Sequence, residues 1–147
     1  MPDYRNILLV VDLSDDSRVV GERAKAIAAC YQSEITLLHV VEYVPVEPMG
    51  EALLPTVQIE GELVERAKQR LAELAQKLSL PQSRQLVETG GIKTEIIRTA
   101  QRMKADLIVL GSRERHGLAI LLNFTEDTIL HAAPCDVLAV RLPQARA

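Results

Sequence analysis

Short continuous apolar runs, separated by segments with helical spacing, restrict this chain to one architectural class. Ile7-Leu8-Leu9-Val10-Val11 is apolar throughout, and Ile35-Thr36-Leu37-Leu38-His39-Val40-Val41 nearly so. Asp106 to Leu110 and Asp136 to Val140 repeat the pattern, and Gln85-Leu86-Val87-Glu88 is a weaker edge-strand candidate. Strands with no polar alternation are covered on both faces, as in a parallel sheet. Between the runs, Ser14, Asp15 and Ser17 offer N-caps for a helix reaching about Tyr31. Leu63, Ala67, Leu71, Leu74 and Leu78 recur at spacings of three and four, which predicts an amphipathic helix. Gly90 and Gly91 open a third, with Ile92, Ile96, Ala100 and Met103 inward, and about Leu118 to Ala132 forms a fourth. Glu42 to about Gln58, with Pro45, Pro48, Gly50 and Pro55, reads as a long loop. The order βαβ, loop, αβαβαβ implies parallel strands with right-handed crossovers, hence a three-layer α/β, doubly wound sheet. At 147 residues it is expected to be a single domain.

Composition narrows the function classes. The net charge of −3 leaves no basic stripe for nucleic acid. Aromatics make up 3% and Trp is absent, so a base-stacking platform is not expected. Cys30 and Cys135 belong to no CxxC or Cys/His pair and are expected to be buried structural thiols, which suits a reducing compartment. No run approaches the ~20 apolar residues of a membrane span. The opening run shows no signal-peptide pattern, since Asp12 ends it after Val11. The expected location is cytoplasmic, with no membrane or nucleic-acid partner.

Ligands of such sheets bind beyond the carboxyl ends of the strands. Those ends are Val11-Asp12-Leu13-Ser14, Val41-Glu42 and Gly111-Ser112-Arg113. The turn Gly111-Ser112-Arg113-Glu114-Arg115-His116-Gly117 lies between a strand and a helix, where free N–H groups and the helix dipole favour phosphate. Glu114 places a bulky anion in the middle of that turn. The turn reads as an altered nucleotide site.

Four segments in order carry a family resemblance: Tyr4 to Ser14, Ile35 to Val41, Asp106 to Arg113, and Ala133 to Val140. Together they resemble the universal stress protein family along nearly the whole chain. The resemblance implies a UspA-like, adenine nucleotide alpha hydrolase-like domain with strand order 3-2-1-4-5, usually a homodimer. Some members bind ATP and some do not. Those that do share Gly-x-x-Gly, a nine-residue spacer, then Gly and Ser or Thr, with the first strand's Asp and the second strand's Val on the adenine and ribose side. Asp12, Val41 and Gly111 match, but the second glycine falls on Glu114. The third falls on Phe124 followed by Thr125, or, counted back from the last strand, on Asn123 followed by Phe124. Asp12, Val41, Gly111, Ser112, Arg113 and Thr125 are thus expected to form a weak or vestigial nucleotide site with no resident cofactor. The alternative is an ATP-dependent switch, with magnesium. Arg113, Arg115 and His116 read as solvated surface cations, and Glu126 and Asp127 as first-turn partners of the helix dipole. Homodimerisation is expected through Asp136 to Val140, an apolar edge in that strand order.

Other classes fit poorly. A phosphorylated receiver domain needs an Asp ending the middle strand and a late Lys. Here Val41 to Val44 offers only Glu42, and the last lysine, Lys104, precedes the fourth strand. Ser14 and Ser112 lack a Gly-x-Ser-x-Gly elbow. His39 reads as a hydrogen-bonded core residue, and His116 and His131 have no partner at ligand spacing, so neither enzyme nor metal centre is expected.

Overall fold

The computed structural model describes residues 3–42, 53–112, 129 and 131–142, and for 53–58 the backbone alone. The elements are β1 (Asn6–Val10), α1 (Ser17–Tyr31), β2 (Glu34–Val41), α2 (Leu53–Lys77), β3 (Arg84–Thr89), α3 (Ile92–Met103), β4 (Leu107–Ser112) and β5 (Asp136–Arg141). They build one parallel sheet, as the alternation predicts, in the order β3-β2-β1-β4-β5 that the family resemblance implies.

The central strand shows why its residues are apolar without alternation. Ile7, Leu8 and Leu9 are each fully buried. Ile7 and Leu9 join Ile35, Leu37, Val109, Val20 and Ala24 of α1, and Ala67, Leu71 and Leu74 of α2. Leu8 faces the other way, with Leu38, Ile108, Ile96 and Ala100 of α3, and Ile129. Burying each such side chain contributes about 1.5–3 kcal/mol, so β1 is braced from both layers. The expected inner face of α3 is present, with Ile96 and Ala100 buried and Ile92 and Met103 packed against the same cluster.

Four expectations are corrected. The loop reaching Gln58 is shorter, because α2 begins at Leu53. Pro55 falls in its first turn, where a missing N–H costs nothing. Leu63 is not a core residue but 40% exposed. At 25 residues α2 is ~37 Å long, and the strands of 5 to 8 residues are ~17–27 Å, so its apolar stripe overruns the sheet. The α1 N-cap is Asp16, without a side-chain cap bond, and not Ser14, Asp15 or Ser17. The two serine hydroxyls serve Asp12 instead. Finally, the cysteines are not both buried: Cys30 is exposed and Cys135 half-buried. The inward stripe of α1 runs through Val20, Ala24, Ile27 and Ala28, and Cys30 falls off it. Most of the expected fourth helix lies outside the described residues; Ile129, His131 and Ala132 are helical.

Candidate functional site

The strand order reverses direction between β1 and β4, so their carboxyl ends frame the crevice where ligands of open α/β sheets bind. Asp12 stands just past β1. Its Oδ1 accepts hydrogen bonds from the Ser14 N–H at 3.0 Å, the Ser14 hydroxyl at 2.7 Å and the Ser17 hydroxyl at 2.8 Å. This is an Asx-type turn, in which a carboxylate folds the backbone that follows it. Leu13 within it adopts φ 64°, the left-handed region that β-carbon sterics disfavour. Its side chain is nevertheless 8% exposed and packed in the core.

Neighbouring elements hold the carbonyls on either side of Asp12. His39 Nδ1 lies 2.8 Å from the Val11 carbonyl oxygen. A carbonyl can only accept, so this nitrogen carries the proton. This agrees with the reading of His39 as a hydrogen-bonded residue, although it is half-buried. Arg70 Nη2, from α2, donates to the Leu13 carbonyl. Nothing in the sequence marks Arg70, since that bond joins residues 57 positions apart. The roles of Ser14 and Ser17 were legible only as caps.

Val41 ends β2, and its carbonyl accepts the Gly90 N–H at 3.2 Å. Gly111 is the penultimate residue of β4 and lies against two apolar side chains. An added β-carbon would sit 2.8 Å from Leu142 Cδ1 and 3.1 Å from Val20 Cγ2. Its smallness therefore has a packing cause that needs no ligand. Ser112 follows, and its carbonyl accepts the Leu142 N–H at 2.8 Å. Asp12, Val41, Gly111 and Ser112 are thus all at the carboxyl end of the sheet. Arg113, Glu114, Arg115, His116, Asn123, Phe124, Thr125, Glu126 and Asp127 lie outside the described residues.

Perturbed titrations occur at the opposite end. The Tyr4 phenol donates to the Asp136 carboxylate at 2.8 Å, which raises its pKa above the ordinary value. Burial, followed by the charges of Asp136 and Asp106, raises the Cys135 pKa against a backbone hydrogen bond from Ile108. That leaves Cys135 a thiol, a poor nucleophile. A cleft of about 850 Å³ also opens at the amino ends of β2 and β3, lined by Lys25, Thr36 and Arg84. Fold logic places ligand chemistry at the other end, and the cleft carries no constellation of reactive groups. Among the described residues, no group of three or more His, Cys, Asp or Glu could hold a metal ion, and no helix is long and apolar enough to cross a membrane.

Comparison with known proteins agrees with this architecture. The model of the universal stress protein family matches residues 3–141. Universal stress protein A homolog 2 of Coxiella burnetii is 36% identical over 143 residues, covering 97% of this chain and 98% of that protein. The solved universal stress protein UspA from Lactobacillus plantarum superposes with a TM-score of 0.73 at 27% identity, covering 95% of this chain and 99% of the other. A universal stress protein crystallised in complex with cAMP shares the fold, with a TM-score of 0.62 at 18% identity over 94% of this chain and 97% of its own. With a parallel sheet in the order β3-β2-β1-β4-β5, an Asp just past the first strand and a match from residue 3 to residue 141, the chain belongs to the universal stress protein family.

Proposed function

We propose that this protein is a cytoplasmic, homodimeric stress protein that acts through protein contacts, with ATP binding weak or lost and no catalytic turnover. The observation that carries the reading is Glu114, which stands three residues after Gly111 where nucleotide-binding members have glycine. A carboxylate about 4 Å from a phosphate costs on the order of 1 to 4 kcal/mol as the effective dielectric falls from water to protein surface. It also obstructs the backbone approach that glycine permits. The packing of Gly111 against Leu142 and Val20 supports the same reading, because it accounts for the matching glycine without phosphate. Calorimetric titration with magnesium and ATP is expected to give a dissociation constant well above the micromolar range. A sub-micromolar constant would overturn the reading.

That result would instead favour an ATP-dependent switch using Asp12, Val41, Gly111, Ser112, Arg113 and Thr125. The cAMP complex of a protein with this fold supports keeping the second reading, since it shows the architecture accepting a nucleotide.

The homodimer is assigned to β5. Among the described residues β5 pairs with β4 alone, leaving its outer edge to a partner strand. Leu138 and Val140 belong to one core cluster and Val137 to the other, so a second copy would extend both apolar layers. Light scattering is expected to give the dimer mass at micromolar concentration, and a monomer would count decisively against it.

A further inference from the structure

We propose that Arg70 is a positioning residue that couples α2 to the Asp12 turn and so sets the shape of the carboxyl-end site. The inference rests on the preceding reading only in taking that end as the site. Among the described residues, four non-glycine residues have positive φ: Leu13, Gln32, Ser79 and Lys104. Gln32 and Lys104 are the C-caps of α1 and α3, and Ser79 sits just past the last residue of α2. Left-handed residues are routine where helices end. Leu13 ends no helix. It lies between a strand and a helix, directly after Asp12, and has a branched aliphatic side chain.

Such a conformation persists only where its surroundings over-determine it, and such residues cluster at functional sites. The over-determination is visible here. The core holds the Leu13 side chain, the Asp12 carboxylate holds the Ser14 N–H, and the Arg70 guanidinium holds the Leu13 carbonyl. The first two come from the turn and the core beneath it. Arg70 is the polar tie from α2, the helix that follows the segment after β2 and whose Ala67, Leu71 and Leu74 also belong to that core. A hydrogen bond from a charged donor is roughly twice as strong as a neutral one, so this is a strong tie on the turn. An axial shift of α2 therefore reaches the Asp12 carboxylate through two hydrogen bonds: Arg70 to the Leu13 carbonyl, and Ser14 to Asp12.

The test is amide solvent exchange by NMR on nucleotide-free protein, comparing wild type with Arg70→Met and Arg70→Lys. Methionine keeps the aliphatic stem and removes every donor. In Arg70→Met the Ser14 amide is expected to exchange about tenfold faster, the equivalent of about 1.4 kcal/mol. The Asn6 amide, held by Asp106 at the other end of the sheet, should not change. Arg70→Lys, which restores a cationic donor, should recover part of the Ser14 protection. Unchanged Ser14 exchange in Arg70→Met overturns the proposal, as does equal acceleration at Ser14 and Asn6, which would make Arg70 a general stabiliser. Tight ATP binding, which would overturn the functional reading, leaves this measurement unaffected.

Discussion

Each end of the sheet is organised by one aspartate, and the two do different work. At the amino end, Asp106 Oδ2 accepts the backbone N–H groups of Arg5 at 3.0 Å and Asn6 at 2.9 Å, contacts that span 101 and 100 residues. Tyr4 and Asp136 add a tie across 132 residues. At the carboxyl end, the Asp12 bonds to Ser14 and Ser17 span 2 and 5 residues. The first aspartate sews the opening of β1 to β4, and the second shapes the turn it belongs to. Long-range carboxylate contacts serve the fold here, and local ones serve the site.

The sharpest way to break that contrast is to remove each carboxylate in turn. Asp106→Ala leaves two backbone donors without their acceptor, one of them half-buried, and is expected to cost about 2–3 kcal/mol in urea unfolding. Asp12→Ala releases the Ser14 N–H and hydroxyl, which water can reach, and the hydroxyl of buried Ser17, and should cost about 1–2 kcal/mol. Equal losses, or a larger loss at Asp12, would mean that the carboxyl end is as architectural as the amino end.

Gly111→Ala sharpens the contrast from within the site. Packing and ligand approach both explain a glycine there, and they predict different readouts. If Leu142 and Val20 set the requirement, the added methyl must displace Leu142 Cδ1 from 2.8 Å, at a cost of about 1–2 kcal/mol in stability. ATP affinity, weak in wild type, should change little. Unaltered stability with altered nucleotide binding would return Gly111 to the ligand.

The parallel three-layer class was legible because β1, β2 and β4 are apolar on both faces and each inward helix stripe has its own spacing, and the strand order came from the family resemblance; Ile7-Leu8-Leu9 and Ile96 with Ala100 needed no tertiary knowledge. What escaped has physical causes. The start of α2 was hidden because prolines read as loop punctuation, and Pro55 is harmless in a first turn. Leu63 kept its helical period past the point where the sheet stops providing cover. Cys30 was assigned by residue type, and burial follows position on α1. Within the site, Asp12, Val41 and Gly111 were legible as residues at strand ends. The Arg70 bond was not, because a contact between residues 57 positions apart leaves no local pattern. The strain at Leu13 was equally silent, since nothing in its neighbours demands positive φ.

The smallest expected effect is the most informative about function. Glu114→Gly removes one like charge and one obstruction from the turn after β4, and removing a repulsion of about 1.4 kcal/mol predicts roughly tenfold tighter ATP binding. Glu114→Gln is the control that removes charge and keeps bulk. Equal gains for Gln and Gly assign the closure to electrostatics; a gain for Gly alone assigns it to backbone approach. Adding Phe124→Gly should extend the gain by freeing a second phosphate contact, with thermal unfolding run beside each titration to detect lost packing. Thermal stability should otherwise stay near wild type, since both single changes leave the Asp106 and Asp12 carboxylates in place. Were neither single variant to bind ATP better than wild type, Glu114 would not be what closes the site. The carboxyl end would then have lost its nucleotide at Asp12 or Val41, and the local shape that Asp12 maintains would serve a protein partner.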